Sequence, residues 1–423
     1  MAGARRLSRV AEDLPAAPAA STAQGGPGVY GSAAARGGPA ATGAAAARGV
    51  PAAAGTPAKS PLWARLCVAG GVALAVLAGG SLTATTVLAS RVDNAVGKGD
   101  LFGDGAEAAE GAKDLRGPMN ILLAGIDPRE WEDNPDLRAD SVLVMHVPAS
   151  LDRAVLFSLP RDLLVDIPAF PPARYPGGRD KLTHAMYYGS RVDGDGRKDP
   201  VRGFELLSRA VSNATGIARF DAGAIVTFNG FKRIVDALGG VRMYVDMDVA
   251  SIHMRPDGKH RAPNPGGGEG ALAFKGPRKQ YRKGNHQLSG WEALDYTRQR
   301  YIEGGDYARQ RHQQQFLRAM VGQALSRDVV TNPGKLDAVL QAAGKTLTFS
   351  GRGHSVTDFA FVLRNIRSDN ITMVKLTGGS VLTGGAYQGE ALDAAAKQFL
   401  AALRSDTTEQ FLVSHPEMIN RDR

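Results

Sequence analysis

Three apolar runs stand close together near the middle of the chain: Met119–Gly125 (MNILLAG), Ser141–Val147 (SVLVMHV) and Ala154–Leu159 (AVLFSL). Each is short and nearly unbroken, the pattern of a buried strand. The link Pro148–Arg153 is of hairpin length. Antiparallel pairing of neighbours then brings the end of the first strand, the start of the second and the end of the third to one sheet edge. Asp127, Asp140 and Arg161 fall at that edge.

Helical periodicity takes over downstream. Phe204–Thr215 predicts a helix, Ala222–Phe228 a strand, and Gly230–Leu238 a helix stopped by Gly239-Gly240. Val241–Val245 reads as a further strand, and the Gly/Pro-rich basic stretch 253–287 as a long exposed loop. Ser289 and Glu292 have the spacing of a capping box, so a helix should run to about Arg298. Asp306 is placed to cap a longer one to about Ser326, along which Arg309, Gln313, Phe316 and Met320 recur at helical spacing. Ser355 with Asp358 starts another helix, Ile371–Leu376 is a strand, and Glu390–Leu403 a last helix. Strands interleaved with helices, the first strands antiparallel, predict an α/β class domain, a mixed α-β-α layered unit.

The N-terminal part differs in kind. Residues 1–65 are Ala/Gly/Pro-rich, too poor in large apolar groups to order themselves, with seven basic groups against two acidic. Leu66–Ser90 follows without a single charge. As a helix it spans about 37 Å, enough for a hydrocarbon core of about 30 Å. The length of chain before it favours an uncleaved signal anchor over a cleaved signal peptide. Basic residues precede the span (Lys59, Arg65) and a mixed flank follows it (Arg91, Asp93). The positive-inside rule therefore puts the N-terminus in the cytoplasm and the rest outside the cell membrane. The expected divisions are a cytoplasmic tail over 1–65, an anchor over 66–90, a stalk over 91–114, a globular extracellular domain over 115–405 and a loose polar tail over 406–423. Outside the cell ATP and NAD are not supplied, which removes most enzyme classes.

Composition removes others. The single cysteine, Cys67, excludes a disulfide scaffold and a Cys-based zinc site. The net charge of +9 is concentrated before residue 66, so bulk charge does not argue for nucleic acid. The eight histidines show no metal-ligand spacing.

The arginines say more. Arg138 and Asp140 flank Ala139 before the second strand, and Arg161 ends the third. Arg298 and Arg300 sit at and beyond one helix end, and Arg309 and Arg311 open the next helix, followed by Gln313. Cations in a first helical turn oppose the helix dipole, and an anionic ligand supplies a reason for them. Guanidinium forks suit phosphate oxygens, and two nearby carboxylates suit Mg²⁺. Together they describe a pyrophosphate–metal site. The stretch Phe228–Val241 and the helix carrying Phe316, Leu317, Met320 and Val321 offer an apolar lining for a polyprenyl tail.

Six segments in order carry a resemblance to a known family: NILLAGIDPR (Asn120–Arg129), RADSVLVMHV (Arg138–Val147), SLPRDLLVDIP (Ser158–Pro168), DKLTHA (Asp180–Ala185), FNGFKRIVDALGGV (Phe228–Val241) and LDYTRQR…GDYARQRHQQQF (Leu294–Phe316). The chain resembles the LytR–CpsA–Psr family of cell-envelope phosphotransferases. That resemblance implies transfer of a glycopolymer phosphate from a polyprenyl-pyrophosphate carrier to peptidoglycan. It implies Mg²⁺ near Asp127 and Asp140, and pyrophosphate contacts from Arg138, Arg161, Arg298, Arg300, Arg309 and Gln313. Where the family has a second arginine in R-x-x-R-Q this chain has His312, with Arg311 just before it and about 100° away around the helix. In DKLTHA, Thr183 stands where asparagine is common. Asp140 and Asp162 are both candidates for a general base. Two rival readings use the same residues: a lipid pyrophosphatase with water as acceptor, and a non-catalytic envelope-binding or regulatory protein. The outward topology opposes the last.

Overall fold

The computed structural model describes residues 96–103, 115–128, 136–192, 197–268, 270–324, 332–344 and 346–421. A seven-stranded mixed sheet forms the middle of the domain. Its strands are β1 (Gly97–Lys98), β2 (Met119–Ile126), β3 (Ala139–Val147), β4 (Ala154–Leu159), β5 (Ala222–Thr227), β6 (Leu347–Ser350) and β7 (Ile371–Lys375). The spatial order is β1-β6-β5-β2-β3-β4-β7. The β2–β3 and β3–β4 pairs are antiparallel, as the apolar runs predict, with Ile126 opposite Ala139 and Val142 opposite Leu159. β5 joins β2 in parallel, with Thr227 beside Ile126. The C-terminal ends of β2, β4 and β5 and the N-terminal end of β3 therefore share one edge.

Alternation along these strands sends side chains into two cores. Ile121, Leu123, Leu143, Met145, Leu156, Ala224 and Val226 face one layer. That layer is built by α3 (Phe228–Ala237), α4 (Gly290–Arg298), α5 (Gly305–Ala324), α6 (Pro333–Gly344) and α7 (Val356–Val362). Leu122, Val142, Val144, Val155, Phe157 and Ile225 face the other. Counting α1 (Leu182–Gly189) and α2 (Pro200–Thr215), it also contains α8 (Ala394–Arg404) and α9 (Thr408–Ser414). The expected α-β-α layering is what forms. α4 starts at the expected capping box of Ser289 and Glu292. α3 ends where Gly239 and Gly240 take positive φ values of 80° and 95°, which a side chain would strain.

Several expectations need correction. Part of the expected stalk is sheet: Gly97–Lys98 pairs with β6, and Leu101 and Phe102 are buried. The stretch 253–287 is not simply a loop. Gly284–Leu288 pairs with Val241–Val245, and Tyr281 and Arg261 are buried within it. The last helix opens at Ala394, not Glu390, because Glu390 belongs to the hairpin Gly378–Thr383 with Ala386–Leu392. The polar tail is not loose: α9 buries Leu412, Met418 is buried, and Asn420 Nδ2 donates to Gln314 Oε1 at 2.7 Å. Asp306 lies inside the first turn of α5 and accepts from Gln310 Nε2 at 2.9 Å.

Residues 1–95, with the expected cytoplasmic tail and anchor, lie outside the described residues, as do 104–114. Among the described residues no helix is long and apolar enough to cross a membrane.

Phe102 packs edge-on against Phe204, with ring centroids 5.8 Å apart, and lies under the Arg352 guanidinium. Phe102→Ala should cost about 3 kcal/mol in denaturant-melt stability. A stalk that only tethers the domain would leave the melt unchanged.

Candidate active site

The sheet edge gathers charge of both signs. Asp140, just inside β3, accepts from Arg161 Nη1, just past β4. Asp127, just past β2, accepts from Arg298 Nη2 at 2.8 Å, so the last turn of α4 is tied to the sheet. Arg138 lies before β3 and contacts Asp136 at 3.3 Å and His184 Nε2 at 3.3 Å. His184 in turn meets Asp180 at 2.9 Å, which also accepts from Tyr188. These chains of contacts orient each guanidinium through a partner of its own.

The second half of the set comes from α4 and α5. Arg298 lies over the Phe228 ring at 5.0 Å. Arg300 follows two residues on, beside Tyr301. Arg309 is 5% exposed and pairs with Asp306 at 2.8 Å. Among the described residues its Nε has no hydrogen-bond partner. Burial lowers its pKa, with Asp306 opposing and the nearby Arg161 and Arg300 adding to the effect. A buried donor left unpaired is costly, and a ligand oxygen would satisfy it. Gln313, one turn further along α5, accepts from Ser141 Oγ at 2.9 Å. Arg309 lies in the second turn of α5, not the first, so the helix-dipole argument for it does not hold. Its burial and its unpaired donor take that argument's place.

These groups enclose one polar cleft of about 520 Å³. Asp127, Arg138, Asp140, Arg161, Arg298, Arg300, Arg309 and Gln313 all line it, joined by Asp136, Phe228 and His253. Two candidates stand apart. Asp162 does not line the cleft; it lies 3.8 Å from both Lys181 and Arg161 Nε. Arg311 points the other way and contacts Asp246 at 2.5 Å. His312 also contacts Asp246, at 3.0 Å, and stacks on Tyr296 with ring centroids 4.3 Å apart. Neither Arg311 nor His312 reaches the cleft.

Asp246 is an internal anchor. It faces four groups: Arg311, His312 and Gln315 of α5, and Tyr296 of α4. Burial alone would raise its pKa, but the hydrogen bonds from His312 and Arg311 hold the carboxyl well below its ordinary range. The two helices that carry Arg298, Arg309 and Gln313 are locked together through this one side chain. A lone aspartate after a short strand gives no sequence signal of that role.

Asp136 and His253 are the ionisable cleft groups that sequence reasoning missed, His253 because it opens the stretch expected to be a loop. Burial, then Arg298, His260, Arg300 and Arg261, push its pKa down to about 4. Beside the polar cleft lies a narrow apolar cavity of about 80 Å³. Leu123, Val226, Phe231, Phe316 and Leu317 line it, and it shares Phe228, Arg298 and Gln313 with the cleft. Phe231 and Phe316 pack at 4.2 Å. Met320 lies in the core instead, and nothing is described of the Val321 side chain.

Asp127 and Asp140 each place one oxygen on an arginine, which leaves one apiece for a cation. Among the described residues no group of three or more His, Cys, Asp or Glu forms a metal cluster. Two carboxylate oxygens completed by water and phosphate is a mode Mg²⁺ commonly takes, so the donor set fits that ion.

The model of the LytR_cpsA_psr family matches residues 90–405, and the chain belongs to that family. It is 27% identical over 317 residues to the cell wall biosynthesis protein LcpA of Corynebacterium glutamicum, covering 69% of this chain and 56% of that protein. It is 27% identical over 275 residues to the polyisoprenyl-teichoic acid–peptidoglycan teichoic acid transferase TagU of Halalkalibacterium halodurans, covering 64% of this chain and 75% of that one. The match thus spans little more than half the length of LcpA. The B. subtilis TagV crystal structure aligns with a TM-score of 0.49 at 20% identity, covering 69% of this chain and 98% of that one.

The anchor role of Asp246 predicts a pH-dependent loss. Asp246→Asn should lower stability by about 3 kcal/mol at pH 7. A depressed carboxyl stabilises above its unfolded value, near 3.9, and that contribution fades as pH falls toward the folded value. The gap between wild type and variant in denaturant melts should therefore narrow below about pH 4.

Proposed function

We propose that this protein is a membrane-anchored, outward-facing phosphotransferase that moves a glycopolymer phosphate from a polyprenyl-pyrophosphate carrier to peptidoglycan. One observation carries the reading. Five arginines from four separate chain segments meet two strand-end carboxylates in a single cleft, and that cleft adjoins an apolar cavity. An anionic headgroup with a long apolar tail matches both halves. The relative TagU is named a polyisoprenyl-teichoic acid–peptidoglycan teichoic acid transferase and LcpA a cell wall biosynthesis protein, which supports the reading.

In this reading Arg138, Arg161, Arg298, Arg300 and Arg309 hold the two phosphates, and Gln313 sits where cleft and apolar cavity meet. Phe228, Phe231 and Phe316 receive the start of the polyprenyl chain. Asp127 and Asp140 would hold Mg²⁺, which when bound would neutralise phosphate charge. An acceptor sugar hydroxyl attacks the proximal phosphorus. The new P–O bond forms as the bridging P–O bond breaks, and polyprenyl phosphate leaves with the bonding pair. Phosphoryl transfer depends chiefly on positioning and charge neutralisation, which guanidinium groups supply. The uncharged segment Leu66–Ser90 would hold the domain at the membrane where such a lipid resides.

Arg161→Ala and Arg298→Ala should each slow transfer of labelled glycopolymer phosphate to peptidoglycan about 10²–10³-fold. Wild-type rates in both variants would reject the assignment. Release of free polymer phosphate with peptidoglycan present, and no ligated product, would favour hydrolysis instead.

A further inference from the structure

The cleft holds three carboxylates, and each is tied to an arginine: Asp127 to Arg298, Asp136 to Arg138 and Asp140 to Arg161. Each of these carboxylates already has a guanidinium as its hydrogen-bond partner. The remaining titratable lining group is His253. Among the described residues its ring nitrogens have no hydrogen-bond partner, and its ring meets Phe274 edge-on at 5.1 Å.

The segment around His253 is fixed with unusual completeness. Ser251 Oγ donates to Asp295 Oδ1 at 2.9 Å and accepts from the His253 and Met254 amides at 3.1 and 2.9 Å. The Ile252 amide donates to Gln299 Oε1 at 3.0 Å, and the Ile252 carbonyl accepts from Arg261 Nη1 at 2.8 Å. The His253 carbonyl accepts from the Arg261 amide at 2.7 Å. Asp295 also accepts from Tyr281 Oη at 2.8 Å and Gln299 Nε2 at 2.8 Å. Gln299 lies between Arg298 and Arg300 in sequence, so one buried polar network fixes both the His253 backbone and the helix end that bears two cleft arginines. Such a network is high-stakes, and apolar packing would be the simpler way to fill the space.

We propose that His253 is the proton acceptor of the transfer reaction, taking the proton of the acceptor hydroxyl as that oxygen attacks phosphorus. This rests on the phosphotransferase reading above. The hydroxyl O–H bond breaks, its electron pair forms the new O–P bond, and the proton passes to a ring nitrogen of neutral His253. The leaving lipid phosphate departs with the electrons of the bridging bond, and the imidazolium later returns its proton to water.

The electrostatics support the timing. Burial first, then Arg298 and Arg300 from the helix end and His260 and Arg261 from its own segment, keep the imidazole neutral at pH 7. The pairs Asp127–Arg298, Asp136–Arg138 and Asp140–Arg161 line the same cleft, as does Arg309. A bound pyrophosphate would offset the cationic share of that shift, the part that comes after burial.

The test uses full-length protein, a polyprenyl-diphosphate-linked glycopolymer and peptidoglycan. His253→Ala should lower the transfer rate at saturating lipid about 10²–10⁴-fold with lipid Kd within about threefold, and added imidazole should restore part of the rate. His253→Gln should show the same loss without rescue. A His253→Ala rate near wild type, or a loss that imidazole leaves untouched, overturns the inference while leaving the phosphotransferase reading intact. A wild-type protein that binds the lipid yet transfers no phosphate overturns both.

Discussion

Gathering like charges at one place is the constraint on which this structure turns. Two guanidinium groups 4 Å apart repel by about 4 kcal/mol at an effective dielectric near 20. Five of them around one cleft cannot be held without compensation. Asp140 against Arg161, Asp127 against Arg298, Asp136 against Arg138 and Asp306 against Arg309 provide it. The first three pairs take a partner from a strand end or an adjoining turn, and the fourth lies within α5. The fold supplies those ends at a single edge because β2, β3 and β4 meander antiparallel while β5 runs parallel to β2.

Rigidity behind the cleft comes from buried polar groups. Asp246 joins α4 to α5, and Asp295 with Gln299 joins α4 to the segment bearing His253. Both carboxylates lie where apolar side chains would pack more simply. From positions directly behind the arginines and the histidine they hold the geometry of the cationic groups. The apolar cavity continues from the charged cleft, since Phe228 lies under Arg298 and also opens the wall that continues to Phe231 and Phe316.

Much of this was legible in the chain itself. The apolar runs defined β2 to β4, and strand polarity then placed Asp127, Asp140 and Arg161 together. Helical spacing put Arg309, Gln313 and Phe316 on one face. What was hidden had specific causes. Arg311 joined the candidate arginines because it opens the same helix as Arg309, yet its partner Asp246, shared with His312, lies some sixty-five residues upstream and only tertiary packing shows it. His253 opens a Gly/Pro-rich stretch whose order comes from side chains of α4, not from local periodicity. The C-terminal segment holds few apolar residues, but Leu412, Met418 and the contact of Asn420 with Gln314 dock it.

The central claim is recognition of two linked phosphates by paired arginines. Titration calorimetry with short-chain polyprenyl diphosphate and the matching monophosphate tests it most directly. The second phosphate adds charge-assisted hydrogen bonds of about 1.5–3 kcal/mol each, so the diphosphate should bind about 10- to 100-fold more tightly. Equal affinity for the two lipids would contradict the account.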